Sequence, residues 1–401
     1  MSKRVLLVAA KTGYQVREFY GAAERLGVEL VLATDRCHVL DDPWADQATP
    51  VQFGEPEVGI PELAARGPFE GILAVGDQPA LVAAQIADRL GLRFHRLEAV
   101  LAANDKFITR EGFRSGGLRV PAYSLDPSQA PSYPCVVKPL HFSASRGVIR
   151  ANNPEEFDQA RKRIRKIAGG EPILVEDFIP GREFALEGVV TSGRLQTLAI
   201  FDKPDPLDGP YFEETIYVTP SREVPEIQEA IKTSTQQAVN ALKLSSGPVH
   251  AEMRVNSRGV WMLEVAARPI GGLCARVLRF KMLPSGAEVT LEEILLRQAL
   301  GEDVSSARLI TGSHAVMMIP IPESGIFAGV DGLDKATAVP GITALEITAK
   351  EGQKLQTLPE GASYLGFIFA GSKSPEDAEQ ALRLAHGCLR FQISRALPVV
   401  R

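Results

Sequence analysis

Val249-His250-Ala251-Glu252-Met253-Arg254-Val255, then Asn256-Ser257-Arg258-Gly259, then Val260-Trp261-Met262-Leu263-Glu264-Val265-Ala266-Ala267-Arg268-Pro269 is the stretch whose reading decides the fold. Two apolar-rich runs flank a polar turn that ends in Gly, the pattern of a β-hairpin. A three-residue loop, Ser257 to Gly259, puts Gly259 where positive φ is needed. In that register Glu252 lies opposite Glu264, with Cβ atoms about 4.5–5.5 Å apart on one face. Alternation along the strands adds His250, Ala266 and Arg268 to the same face. Two carboxylates so placed repel unless a cation lies between them, and Mg²⁺ takes oxygen ligands. The same pattern also fits two exposed acids on an edge hairpin, so the pair has to be read with the rest of the chain.

The chain has 401 residues, too many for one small core, so two to three domains are expected. It is 45% hydrophobic and 23% charged with a net charge of −5. That composition speaks against broad disorder and against a nucleic-acid partner. Cys37, Cys135, Cys274 and Cys388 lack CxxC spacing. They fit neither a disulfide framework nor a zinc site and suit a reducing, cytoplasmic setting. No run approaches about 18 apolar residues, so no membrane contact is expected. The opening run Val5–Ala10 reads as a first strand rather than a secretory leader.

Residues 1–103 alternate strands with helices: Val5–Ala10, Leu30–Thr34 and Ile72–Val75 against helices from Val16 and from about Pro79 to Leu90. This predicts a Rossmann-like parallel α/β domain, with ligand contacts at strand C-termini. Lys11-Thr12-Gly13 lacks the GxGxxG pattern, so no dinucleotide site is expected there. Asp35 and Asp77 end strands where a ligand contact is one reading, and capping is the simpler reading of both. Residues 104–185 form a second unit. It has strands at Val120–Ser124, Cys135–Lys138 and Pro172–Asp177, and a helix that starts at the Asn153 cap with Pro154 and Glu156. Residues 186–303 form a third, with strands Phe184–Val190, Leu195–Phe201 and Thr215–Val218, helices Pro225–Leu242 and Leu291–Leu300, and the carboxylate hairpin. Residues 304–401 form a C-terminal α+β domain packing on the core, with strands His314–Ile319 and Tyr364–Ala370 and a last helix capped by Ser374.

Two further segments have residues that suit nucleotide contacts. Lys138-Pro139-Leu140-His141-Phe142-Ser143-Ala144-Ser145-Arg146-Gly147 joins two strand-like runs. A strand-embedded Lys before a hydroxyl- and Gly-containing loop suits a triphosphate, since backbone N–H groups and hydroxyls wrap phosphates and Lys neutralises charge. It is not a Walker A loop, and a polar surface hairpin reads equally from these residues alone. Leu174-Val175-Glu176-Asp177-Phe178-Ile179-Pro180-Gly181-Arg182-Glu183 alternates apolar residues with acids and then turns. Such a segment offers an apolar slot with backbone groups for adenine and a carboxylate for ribose.

Lys106, the Lys138–Gly147 loop, Glu176 to Glu183, and Glu252 with Glu264 and Arg268 occur in the order and approximate spacing of the ATP-grasp superfamily, which this chain resembles. His250-Ala251-Glu252 and Glu264 through Gly272 look most like the carboxylate–amine ligase branch, the L-amino acid ligases that make dipeptides, and the last hundred residues look like their C-terminal appendage. The resemblance implies ATP and Mg²⁺, with Mn²⁺ a workable substitute. Lys106 and Lys138 would meet the phosphates and adenine, and Ser145 and Gly147 the closing loop. Glu176 and the backbone of Asp177 and Ile179 would meet adenine, and Glu183 the ribose. Glu252 and Glu264 would hold Mg²⁺, and Arg268 would stabilise an acyl phosphate. His250, on the same face, reads either as a contact for the substrate carboxylate or phosphoryl group or as a packed structural His. The family often has Asn two residues after the second Glu. Here that position is Ala266, so one ligand of a second Mg²⁺ is missing or supplied from elsewhere in the chain.

Asp202 to Glu214 would border the substrate pocket, with Lys203 on a carboxylate and Glu213 or Glu214 on an ammonium; a mobile surface loop is the competing reading. The expected substrates are amino acids or a related carboxylate and amine, and homodimers are common in such ligases. Two alternatives share these residues: a carboxylase-type or purine-pathway ATP-grasp enzyme, and a nucleotide-binding module without turnover.

Overall fold

The computed structural model describes residues 2–10, 15–35, 48–130 and 132–395. Cys37 and the Lys11-Thr12-Gly13 loop lie outside the described residues. The N-terminal strands pair in parallel in the order Thr49–Pro50, Glu29–Thr34, Arg4–Ala9, Gly71–Val75. The run Val5–Ala9 is continuously apolar because both its faces are covered. Leu6 and Val8 pack with Ala80, Ala83 and Ala87 of helix Asp77–Leu90, whereas Val5, Leu7 and Ala9 pack with Phe19 and Ala23 of helix Val16–Leu26 and with Leu295 of helix Leu291–Ala299. Gly27, at φ 64°, stops the first helix in the left-handed conformation that Gly tolerates.

The second unit is an antiparallel sheet in the order Tyr123–Leu125, Ile173–Asp177, Cys135–Pro139, Ile149–Ala151. The first strand starts at Tyr123 rather than Val120, and Pro121 has no N–H for a ladder. Helix Pro154–Ala168 covers this sheet with Phe157, Ala160 and Ile164, and the Asn153 side chain accepts from the Glu156 N–H at 3.0 Å. Such a cap contributes about 1 kcal/mol.

The core is one eight-stranded antiparallel sheet. Its order is Gly259–Ala266, Ser246–Asn256, Arg182–Thr191, Arg194–Lys203, Ile216–Thr219, Ser313–Ile319, Gly366–Ser372, Ile342–Ile347. The expected division at 185/186 falls inside strand Arg182–Thr191, which begins directly after the Gly181 turn at φ 142°. The sheet also continues across 303/304, because Ile216–Thr219 pairs with Ser313–Ile319. The reading of the sequence omitted Gly325–Asp331, Ile342–Ile347 and Arg390–Ser394. All three are partly exposed and so lack a continuous apolar run. Among the described residues no helix is long and apolar enough to cross a membrane, and Cys135, Cys274 and Cys388 are free thiols.

Candidate active site

Three adjacent strands set the site. Arg182–Thr191 lies between Arg194–Lys203 and Ser246–Asn256, so Lys203, Glu183 and Arg254 stand in one row and Glu187 and His250 in another. These rows become ion pairs. Glu183 Oε1 is 3.0 Å from Lys203 Nζ, Glu183 Oε2 is 2.9 Å from Arg254 Nε, and Glu187 Oε2 is 3.1 Å from His250 Nδ1.

Glu252 stands opposite Glu264, but by a different route from the one expected. Gly259 has φ 113°, yet Asn256 pairs with Gly259 and Met253 with Met262, one residue tighter than the three-residue loop predicts. A register shift between Glu252 and Met253 leaves Leu263 as the extra residue and returns Glu264 to its partner. The Leu263 carbonyl accepts from Arg110 at 2.5 Å.

The hairpin forms one wall of a cleft of about 440 Å³, within the range of small-molecule sites. Every sequence-derived candidate except Gly147, Lys203 and Glu213 lines it. Gly147 sits behind the loop, where its N–H donates to the Pro359 carbonyl at 2.9 Å and an added Cβ would lie 2.9 Å from Pro139 Cγ. Lys203, expected on a substrate carboxylate, is only 2% exposed, and its ammonium is shared among Glu183, Glu214 and, at 3.3 Å, Glu252. Burial works against that charge, but the surrounding carboxylates raise its pKa well above the usual lysine value. Glu213 turns away from the cleft and takes a hydrogen bond from the Ile321 backbone, whereas its neighbour Glu214 faces in.

At the nucleotide end, Glu176 is held by Arg110 at 2.7 and 3.1 Å and by Lys138. Burial opposes its charge, but Arg110 and then Lys138 overcome this and hold the carboxyl down to about 2. Burial also pulls the Lys138 ammonium down to about 8, against the support of Glu176. The Ile179 carbonyl accepts from Arg254 at 2.8 Å, and the Asp177 N–H donates to Ala122 at 2.9 Å. Phe178 and Phe212 face each other at 6.3 Å. In the loop, Ala144 and Ser145 hold φ of 53° and 55°, a left-handed conformation that costs an L-residue roughly 1–2 kcal/mol. Lys106 Nζ donates to the Phe142 carbonyl at 2.5 Å and lies 3.9 Å from Glu264.

At the centre, Arg268 forks onto Asp77 at 2.7 and 3.3 Å. Burial opposes ionisation of Asp77, but Arg268 and Lys106 hold its carboxyl below the usual range. Asp77 is thus a partner of the cleft arginine, and helix Asp77–Leu90 carries no side-chain cap. His250 bridges Glu187 and, at 3.4 Å, Glu252. Burial disfavours the imidazolium, yet the two carboxylates raise its pKa to about 9.

Reasoning from sequence preferred a capping role for Asp77, which the structure places on Arg268 in the cleft, and missed Arg110, Glu187 and the C-terminal wall at Ala362–Tyr364 and Phe367. Two of these carried a signal. Arg110 lies one helical turn after Lys106 on the same face, and Glu187 lies on the Glu183 face of its strand, an acid inside the apolar run Phe184–Val190.

Glu183, Glu214 and Glu252 each offer an oxygen within 4.8 Å of the other two, but the Lys203 ammonium already lies among them, and Glu264, opposite Glu252, adds a carboxylate outside that cluster to the same cleft. This all-oxygen donor set suits a hard dication. Lys106 and Lys138 facing the left-handed loop suit a polyphosphate.

Known proteins share this architecture. An ATP-grasp domain model matches residues 131–277, and a model of the L-amino acid ligase C-terminal domain 2 matches residues 317–394. The ATP-grasp enzyme fsqD of Aspergillus fumigatus is 25% identical over 303 residues, 63% of this chain and 53% of that protein. Alanine–anticapsin ligase of Bacillus subtilis is 25% identical over 219 residues, 47% of this chain and 46% of that protein. The matches therefore span about half the length of these curated relatives. The crystal structure of an L-amino acid ligase from Bacillus licheniformis superposes with a TM-score of 0.82 at 24% identity, covering 98% of this chain and 99% of that one. The chain thus carries an ATP-grasp domain, residues 131–277, followed by the C-terminal domain of L-amino acid ligases, residues 317–394.

Proposed function

We propose that this protein is an ATP- and Mg²⁺-dependent carboxylate–amine ligase. It joins two amino acids through an acyl phosphate and releases ADP and phosphate. The observation that carries the reading is the convergence, in one cleft, of two lysines beside a phosphate-type loop, the Glu252/Glu264 pair, and an arginine pinned by Asp77. A carboxylate resists attack by an amine because oxide is an impossible leaving group. Transfer of the γ-phosphoryl group to it creates a phosphate leaving group, and such a transfer needs positioning and charge neutralisation. Mg²⁺ on Glu252 and Glu264 would supply charge neutralisation at the phosphates. Arg268, its planar fork fixed by Asp77 on one side, would meet the developing oxyanion. His250, its two ring nitrogens on Glu187 and Glu252, would orient Glu252 rather than meet the substrate carboxylate. Other ATP-grasp ligases share the activation step and differ in the nucleophile.

The test is a pairwise amino-acid screen reading ADP and phosphate, with mass spectrometry of the products. ADP release that requires two amino acids and yields their condensation mass supports the reading. ATP binding without turnover under any pair removes it. Glu264→Ala is expected to lower turnover at least about 100-fold with an unchanged circular dichroism spectrum, and wild-type turnover in that variant would take Glu264 out of the site.

The Lys138–Gly147 loop and the helix after it are fastened from the C-terminal side. Gly147 N–H meets the Pro359 carbonyl, Arg146 Nε the Glu360 carbonyl at 3.2 Å, and Arg163 the Glu360 carboxylate at 2.7 and 2.9 Å. The carboxylate contact is exposed, so Glu360→Ala should raise the nucleotide KM no more than about fivefold, with kcat retained. A steady-state ATP titration checks this, and a collapse of kcat would show that the latch does more than hold the loop.

A further inference from the structure

We propose that the apolar wall of the cleft beside Glu214 is a pocket for an amino acid with an apolar or aromatic side chain, whose ammonium is received by Glu214. This rests on the ligase reading and names its substrate class. The wall is built by Tyr217, Cys274, Met318, Tyr364 and Phe367, all of which line the cleft. Tyr217 is 2% exposed, Cys274 1%, Met318 5% and Phe367 1%. The Tyr364 and Phe367 rings lie 6.5 Å apart. Glu214 is the acid on this wall, since Glu213 is turned onto the Ile321 backbone.

A nucleotide has no use for such a wall, because its charged and polar groups are met by Lys106, Lys138 and the loop. A carboxylate substrate has to bring its carboxyl to Arg268, and the rest of it then extends along this wall. A charged side chain here would lose its water without gaining a partner. A side chain as small as hydrogen would leave the wall uncovered. Glu214 Oε1 is taken by Lys203, while Oε2 carries no hydrogen bond among the described residues. The hydroxyls of Tyr217 and Tyr364 also make no hydrogen bond among the described residues, though both rings line the cleft. They remain available to the polar atoms of a bound amino acid. Three of the five wall residues, Met318, Tyr364 and Phe367, belong to the segment matched by the L-amino acid ligase C-terminal domain. That appendage would therefore set side-chain choice.

The experiment is calorimetric titration of the full chain, with Mg²⁺ and a non-hydrolysable ATP analogue present, by leucine, phenylalanine, methionine, glycine, glutamate and lysine. At least one of the three apolar amino acids is expected to bind roughly tenfold tighter than the other three, and Tyr364→Ala to shrink that gap below about threefold. Glu214→Gln is expected to weaken all six by about tenfold, the loss of a charged hydrogen-bond partner. Equal affinities, tighter binding of glutamate or lysine, no binding at all, or a preference untouched by Tyr364→Ala would overturn the pocket. Hydroxylamine trapping separates this from the ligase reading. ATP-dependent hydroxamate from glutamate or glycine alone keeps the ligase and sinks the pocket. Tight leucine binding with neither hydroxamate nor ADP release does the reverse.

Discussion

Arg268→Ala is expected to lower kcat by roughly 10²–10³ while leaving the ATP KM within about twofold. The size follows from where the guanidinium sits. It lies 2.7 Å from Asp77 on one side and lines the cleft that holds Glu252 and Glu264 on the other. Fixed in this way, it meets an oxyanion without reorganising, which is the condition under which a single donor is worth two to three decades of rate. Arg268→Lys keeps the charge and loses the fork, so it should recover less than about a tenth of the missing rate. The alanine change also strands Asp77. Removing one partner of a buried ion pair costs about 3–5 kcal/mol, but these side chains are 14% and 19% exposed, so the lower end or less applies. The double variant Arg268→Ala/Asp77→Ala separates the two effects. It should regain stability in denaturant titrations and regain no rate. A single variant with wild-type kcat would mean that Arg268 only anchors the helix at Asp77.

The hairpin was legible because it is local. Alternation and a terminal Gly placed Glu252 against Glu264 without knowledge of the remaining fold. Even so, the compensating bulge at Leu263 has no sequence signature, and only the partner that uses its carbonyl, Arg110, accounts for it. The parallel N-terminal sheet and the helix caps at Asn153 and Ser374 were equally local, each written in a few consecutive residues. What sequence could not reach were pairings between distant segments. Asp77 and Arg268 are 191 positions apart, and nothing near Asp77 distinguishes a cleft residue from a helix start. Lys203 reads as a free cation in a polar loop until the strand pairing puts Glu183 directly across from it. The C-terminal wall of the cleft was missed for a related reason. Tyr364 and Phe367 look like ordinary strand residues, and only the continuity of the eight-stranded sheet carries them to the mouth of the site.

The second large effect is a loss of stability in mild acid that passes through one residue, His95. Its ring is 1% exposed. Nε2 lies 3.0 Å from the Pro248 carbonyl, and Nδ1 accepts the N–H groups of Ser245 and Ser246 at 3.1 and 3.3 Å. This fixes one neutral tautomer, Nε2–H as donor and Nδ1 as acceptor. An imidazolium would turn Nδ1 into a donor facing two other donors. Burial pulls the pKa from 6.5 down to about 4, and the Pro248 hydrogen bond opposes this only in part. The folded pKa therefore lies below the unfolded one. The stabilisation is complete above pH 6.5 and is lost as pH falls through about 4. Over that window the loss approaches about 3 kcal/mol. His95→Gln should be less stable at pH 7 and should shed less stability on acidification, so the two unfolding curves converge as pH falls. Urea titrations at several pH values between 7 and 4.5 read that convergence, and a constant gap across the series would rule out His95 as the titrating group. The site should feel the same change. His95 sits under the first residues of strand Ser246–Asn256, with its ring 3.0 Å from where a Cβ would stand on Gly247, and that strand carries His250 and Glu252 to the cleft. Protonation at this buried joint would loosen the strand that presents the carboxylate pair, so turnover and stability should decline together in mild acid in the wild type, and this shared decline should be shallower in His95→Gln.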